Sequence, residues 1–182
     1  FILNQDQKNR FLAILYPDLY AKNEAFQQNR GIGAIGSGQF FGQGLFNGNY
    51  TQSGAVPENQ NDFVFSVAGE ELGFIGAIAV LVLLAAIILR IVINGKRAND
   101  NASYLMCMGM ASMLAAQVII NIGMVLQWLP VIGITLPFFS AGGSSNLCVY
   151  IGIGLMMSIY RFNQKTPVAN FRLKRVVTRF ST

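Results

Sequence analysis

Residues 72–89 (Leu-Gly-Phe-Ile-Gly-Ala-Ile-Ala-Val-Leu-Val-Leu-Leu-Ala-Ala-Ile-Ile-Leu) are eighteen consecutive residues without a charge. A helix of that length crosses most of the hydrocarbon layer of a bilayer, so the run reads as a transmembrane span. Two more apolar stretches follow. Residues 104–126 are Met-rich and carry Ser112, Gln117 and Asn121, and residues 144–160 form the last candidate span. The whole chain is 53% hydrophobic and only 12% charged, too little charge to cover a soluble surface. The fold class expected is all-α: a polytopic transmembrane helix bundle with about three spans.

Charge sorts the chain into two aqueous faces. Seven acids (Asp6, Asp18, Glu24, Glu58, Asp62, Glu70, Glu71) precede residue 72, against four bases. After it stands one acid, Asp100, against Arg90, Lys96, Arg97, Arg161, Lys165, Arg172, Lys174, Arg175 and Arg179. Basic segments stay on the cytoplasmic side, which places the short linker Asn94–Ala102 and the tail there. The expected organisation is an extracytoplasmic loop at 1–71, three transmembrane helices over 72–160 with a re-entrant loop at 128–143, and a basic cytoplasmic tail at 161–182. The tail anchors topology at the anionic inner leaflet. The net charge of +5 is spread over these segments and does not form a nucleic-acid patch. No histidine is present, which excludes a histidine zinc site, a Ser-His-Asp triad and a Cys-His dyad within the chain. Cys107 and Cys148 fall near opposite membrane faces and are read as unpaired apolar filler. The chain opens Phe1-Ile2-Leu3 without Met and shows no signal peptide, so the expectation is a fragment of something longer.

Two irregular segments converge on the outer face. The density of Gly31, Gly33, Gly36, Gly38, Gly42, Gly44 and Gly48 argues against a regular helix and for turns with close backbone approach. Residues 11–16 read as a short amphipathic turn at the surface. Residues 128–139 are apolar but too short to span, and Pro130 and Pro137 interrupt them, so a re-entrant or interfacial loop is expected with Trp128 at headgroup level. Ser144 and Ser145 can cap the last span. Gln117 and Asn121 lie four apart on one helix face, where they either bind helices together or line a substrate cavity.

Four carboxylates, Glu58, Asp62, Glu70 and Glu71, crowd the entrance to the first span. A carboxylate there can take a proton, hold a divalent cation or repel anionic headgroups. Asp62 is equally readable as the N-cap of the helix that follows. If that helix starts near Asp62, Glu70 and Glu71 stand two turns into it, and at least one must face a polar cavity or a cation.

Several motifs occur in a fixed order: Ala34-Ile35-Gly36-Ser37-Gly38 with Gly42-Gln43-Gly44-Leu45; Pro57-Glu58 with Asn61-Asp62-Phe63-Val64-Phe65; Gly69-Glu70-Glu71-Leu72-Gly73-Phe74; Asn121-Ile122-Gly123-Met124; and Leu129-Pro130-Val131-Ile132-Gly133-Ile134 with Leu136-Pro137-Phe138, Ser140 and Gly142-Gly143-Ser144-Ser145. In this order and spacing, from about residue 5 to 160, the chain resembles the SEDS family (shape, elongation, division and sporulation), whose members include RodA, FtsW and SpoVE. Asn61, Ala141, Gln39 and Gln43 depart from the residues common in that family. Its members have about ten spans, of which this chain matches the large extracellular loop and the final three.

The resemblance implies a peptidoglycan glycosyltransferase in the bacterial cytoplasmic membrane. Such an enzyme polymerises lipid II, a disaccharide-peptide on undecaprenyl pyrophosphate, at the outer leaflet, for wall synthesis, cell shape or division. It also implies that Asp62 is the essential carboxylate, acting as general base on a sugar hydroxyl. Glu58, Glu70 and Glu71 then support it or hold a cation. Positive charge for the leaving pyrophosphate would come from Lys8, Arg10 or Arg30, or from a divalent cation (Mg or Mn). Gln117, Asn121, Ser144 and Ser145 are candidates to line the substrate cavity. The implied partner is a class B penicillin-binding protein. The alternatives are a lipid II flippase, which needs polar residues along the depth of the spans, and a non-catalytic scaffold of the wall-synthesis complex.

Overall fold

The computed structural model describes residues 24–53 and 61–165. Lys8, Arg10, Glu58, the amphipathic turn expected at 11–16 and most of the basic tail lie outside them. Every element among the described residues is helical: α1 (Glu24–Gly38), α2 (Asn49–Gln52), α3 (Val64–Glu71), α4 (Gly73–Lys96), α5 (Asn101–Val125) and α6 (Gly143–Lys165). α4, α5 and α6 are long and apolar enough to cross a membrane. The 24 residues of α4 make a rod of about 36 Å, against a hydrocarbon core of about 30 Å.

The three expected spans are thus present, each lengthened beyond its apolar run. α4 continues past Arg90, whose guanidinium lies 5.7 Å over the Tyr160 ring of α6. α4 and α5 form an antiparallel hairpin. Its tight end brings Gly95 so near Cys107 that an added Cβ would stand 2.8 Å from the cysteine Cβ. Asp100 starts α5 by accepting a hydrogen bond from the Ser103 N–H at 2.8 Å. The Asn99 N–H donates to the Asn163 side-chain oxygen, so this turn and the end of α6 share one face of the bundle. Ile91, Cys107, Ala111, Leu114, Val149 and Met156 form the core between the three spans. Cys107 is buried near one end and Cys148 exposed near the other, and both are free.

At the opposite end the sequence reading needs two corrections. The glycine-rich segment is helical through Gly38, and only residues 39–48, with Gly42 and Gly44 at positive φ, run as the expected turns. Glycine normally weakens a helix by about 1 kcal/mol, because it adds backbone entropy and no packing. Here it permits contact. A Cβ on Gly31 would stand 2.9 Å from Ser66 Oγ and 3.0 Å from the Phe63 ring, and one on Gly38 would fall on the Gly69 carbonyl oxygen. α1 and α3 therefore cross with their backbones close together, and burial of Ala34, Phe63 and Phe65 outweighs the local propensity.

The second correction concerns the entrance to the first span. A continuous helix from near Asp62 is replaced by two helices, α3 and α4, broken at Leu72-Gly73, where Gly73 takes φ +70°. A break exposes unpaired carbonyls on one side and unpaired N–H groups on the other. Residues 39–44 satisfy both. The N–H groups of Gln43 and Gly44 donate to the Glu70 and Glu71 carbonyls, and those of Phe74 and Ile75 donate to the Gln39 and Phe40 carbonyls. Nor is Asp62 the N-cap of α3: that position belongs to Phe63, and no side-chain cap is made.

Residues 126–142 contain no helix, as the prolines require. The segment folds onto itself. The Leu136 N–H donates to Ser140 Oγ at 2.8 Å and the Ser140 N–H returns to the Leu136 carbonyl at 3.1 Å. Leu136 is buried in the outer core while Trp128 is 78% exposed.

Candidate active site

Asp62 sits half-buried on the turn before α3, followed by the fully buried Phe63. One amide fixes that turn. Asn121 Nδ2 donates to the Asp62 carbonyl at 2.8 Å and to the Ile134 carbonyl at 2.7 Å. Asn121 is fully buried, and it stands about one turn before the end of α5. It therefore joins three segments that are far apart in sequence. Gly133, next to Ile134, adopts φ +79°, and a Cβ there would stand 3.4 Å from Asp62 Oδ2. The carboxylate thus lies against the backbone of the irregular 126–142 loop. Of the two amides singled out on α5, Asn121 binds segments together. Gln117, one turn earlier, buries an oxygen with no partner among the described residues.

The neighbouring carboxylates Glu70 and Glu71 diverge. Glu70 is fully buried and saturated. Its Oε2 accepts from the Thr51 N–H at 3.0 Å and the Thr51 hydroxyl at 2.6 Å. Its Oε1 accepts from the Tyr50 N–H at 2.7 Å and lies 3.5 Å from the Ser37 hydroxyl, which donates to the Ala34 carbonyl at 2.7 Å. This offsets the cost of burying a carboxylate and locks the short α2 against α1 and α3. Glu71 is half-buried, and no hydrogen bond or ion pair from the described residues reaches its carboxylate. It borders a cleft between residues 46–52, α3 and the 126–142 loop.

No group of three potential metal-ligating His, Cys, Asp or Glu residues occurs among the described residues, and both Glu70 oxygens already face N–H and O–H donors. Arg30 is exposed on α1, as is Ser144 in the first turn of α6. Ser145 Oγ lies 3.0 Å from Thr135 Oγ1, so it tethers the 126–142 loop to α6. Asn146 Nδ2 does the same through the Ser140 carbonyl at 2.6 Å.

Two contributors escaped sequence reasoning. Gln28, 3% exposed, donates to the Met124 carbonyl at 2.9 Å and the Leu129 carbonyl at 2.8 Å, fixing the start of the loop. Thr51 completes the Glu70 clamp. The spacing Gln28, Gly31, Ala34, Gly38 marks one small-residue face of a helix and was the signal for the first. Nothing local marks Thr51.

A bundle of three membrane-span-length apolar helices, with a carboxylate on a clamped turn at one end, defines a polytopic helical membrane protein. The chain belongs to the FtsW/RodA/SpoVE family, described as cell cycle protein, which matches residues 1–165. It is 34% identical over 160 residues to peptidoglycan glycosyltransferase MrdB of Escherichia coli K12, covering 88% of this chain and 43% of that protein. Stage V sporulation protein E of Bacillus subtilis is 39% identical over 140 residues, 76% of this chain and 38% of that one. The chain thus spans less than half the length of these curated relatives. In fold it matches a chain from a peptidoglycan synthase complex that coordinates polymerization and crosslinking, at TM-score 0.70 and 30% identity over 90% of this chain and 44% of that one. It also matches a mutant of the rod shape determining protein RodA of Thermus thermophilus, at TM-score 0.57 and 29% identity over 85% of this chain and 53% of that one.

Proposed function

We propose that this protein is a peptidoglycan glycosyltransferase that polymerises lipid II at the outer face of the cytoplasmic membrane, with Asp62 as general base. The observation that carries the reading is the clamp on Asp62. Its backbone is held by Asn121, and its Oδ2 lies 3.4 Å from where a Cβ on Gly133 would stand, which fixes the carboxylate beside the 126–142 loop. In the reaction an acceptor sugar hydroxyl attacks the anomeric carbon of the donor. Its proton passes to Asp62, and the bond to the lipid pyrophosphate breaks with the electron pair leaving on phosphate oxygen. A base that must act where glycan meets lipid has to be fixed at the membrane edge, and a rigid turn at the mouth of the bundle supplies that.

Charge supports the orientation. Arg90, Lys96, Arg97 and Arg161 lie toward the end of the bundle opposite Asp62, which we assign to the cytoplasm. The relative in the peptidoglycan synthase complex supports a crosslinking partner of the class B penicillin-binding type. The flippase reading has less support because polar groups along the spans are few and partly engaged: Ser112 Oγ donates to the Gly109 carbonyl at 2.9 Å and the Asn121 amide nitrogen holds the site, while the Gln117 oxygen has no partner among the described residues.

The test is lipid II polymerisation by the full-length protein in detergent, comparing wild type with Asp62→Asn at equal expression. A loss of roughly 10²–10⁴-fold is expected for removal of a general base. Equal product from both would remove Asp62 from the mechanism. Lipid II reaching the outer leaflet of vesicles without polymer would favour the flippase.

A further inference from the structure

Of the two adjacent carboxylates at the end of α3, one is consumed by the fold and the other is not. Glu70 is held by three close donors, whereas the Glu71 carboxylate meets none among the described residues. Glu71 stands at the edge of a cleft of about 400 Å³. The cleft is within the size range of small-ligand sites. Val64 and Val67, on the same face of α3, form its floor. Phe46 and Phe139 line it from the loops on either side, and Gln52 contributes the other long polar side chain.

A cleft lined by a single carboxylate and two phenyl rings selects a particular ligand chemistry. A divalent cation needs about six oxygen ligands, and phenyl faces are poor neighbours for its water shell. An anion is repelled by Glu71. A primary alkylammonium suits all the parts: its charge pairs with the carboxylate, its N–H groups reach Gln52 and Thr51 oxygens, and its alkyl stem packs on valine and phenyl surface.

The geometry points to Glu71 as a recognition site for a primary ammonium group on the peptide of the lipid-linked substrate. This inference rests on the glycosyltransferase reading. The same two elements that position Asp62 also build the cleft. α3 begins just after Asp62 and ends at Glu71, about 13 Å along the helix axis, and the 126–142 loop supplies Gly133 beside Asp62 and Phe139 in the cleft. A substrate whose sugar reaches Asp62 can therefore lay its peptide along α3. Glu71 would then act on binding and on choice of substrate, and it would leave the transfer step to Asp62.

The experiment is a binding cycle on the full-length protein in nanodiscs, in the Asp62→Asn background so that no turnover is needed. Kd is measured for lipid II with a free amine on its peptide and for the same lipid II with that amine acetylated, each with Glu71 and with Glu71→Gln. Acetylation is expected to weaken binding about five- to tenfold when Glu71 is present, as for a partly desolvated ion pair, and by less than twofold in Glu71→Gln. Raising the salt should shrink the first effect and not the second. An acetylation effect of the same size in both proteins overturns the assignment. So does the absence of an acetylation effect with Glu71 in place, a result that needs no Glu71 variant at all. Full polymerisation by Asp62→Asn would instead overturn the proposed mechanism, and the binding cycle would remain readable on its own.

Discussion

Asn121 donates one amide hydrogen to the Asp62 carbonyl at 2.8 Å, although 59 residues separate them, and its other to the Ile134 carbonyl at 2.7 Å. The position of the candidate base is therefore set from within the second transmembrane helix. A fully buried side chain that serves two backbone acceptors has no isosteric substitute.

Asn121→Ala leaves both carbonyls without their donor inside the bundle. The expected cost is about 2–4 kcal/mol of stability, the sum of two unsatisfied buried acceptors, read as a lowered thermal midpoint in detergent. Asn121→Asp should be worse, because it sets a carboxylate oxygen against a carbonyl. If Asn121→Ala melts like wild type, the clamp is not a stabilising feature.

Glu70→Gln keeps the shape of the side chain and replaces one acceptor oxygen with an N–H₂ group facing N–H and O–H donors. A loss of about 1–3 kcal/mol is expected, concentrated in the segment that α2 anchors. Limited proteolysis should then cut within residues 43–53 faster than in wild type. Glu71→Gln, which breaks no contact among the described residues, should leave that rate unchanged.

The glycines of α1 should separate by position. Gly38→Ala places a methyl group on the Gly69 carbonyl oxygen and should prevent α1 from docking on α3. Nothing approaches a Cβ at Gly36 within 4 Å, so Gly36→Ala should be neutral or stabilise by about 0.5–1 kcal/mol through helix propensity. Expression level and thermal midpoint of the two variants decide this. Equal behaviour would mean that the close crossing is not needed.

At the other end of the bundle, hydrogen bonding from Ser103 holds the Asp100 carboxyl below its usual value of 3.8. A group whose folded-state pKa is depressed contributes stability above its unfolded pKa and loses it as pH falls through the folded value. The first turn of α5 should fray below about pH 3.8, and Asp100→Ala should fray it at neutral pH. Hydrogen exchange at the Ser103 amide in the wild type and the variant would show both. No change in Asp100→Ala would mean the cap is dispensable.

The three spans were legible because lipid imposes one rule on every residue in them. A charge-free run long enough to cross the bilayer has to be a helix, and basic residues gather toward one end of the bundle. The ordered motifs likewise carried the family. What the sequence could not reveal were the relations between segments. Glycine propensity argued against α1, and only packing on Phe63, Ser66 and Gly69 made it a helix. Glu70 and Glu71 are chemically identical neighbours in the chain. They became a structural clamp and an open carboxylate because successive helix positions point about 100° apart, one toward α2 and one toward the cleft. The sequence by itself determined the class, the spans and the chemistry available. Tertiary structure decided which polar group was spent on the fold and which was left without a donor beside the cleft, because that depends on donors brought together across 20 to 100 residues of chain.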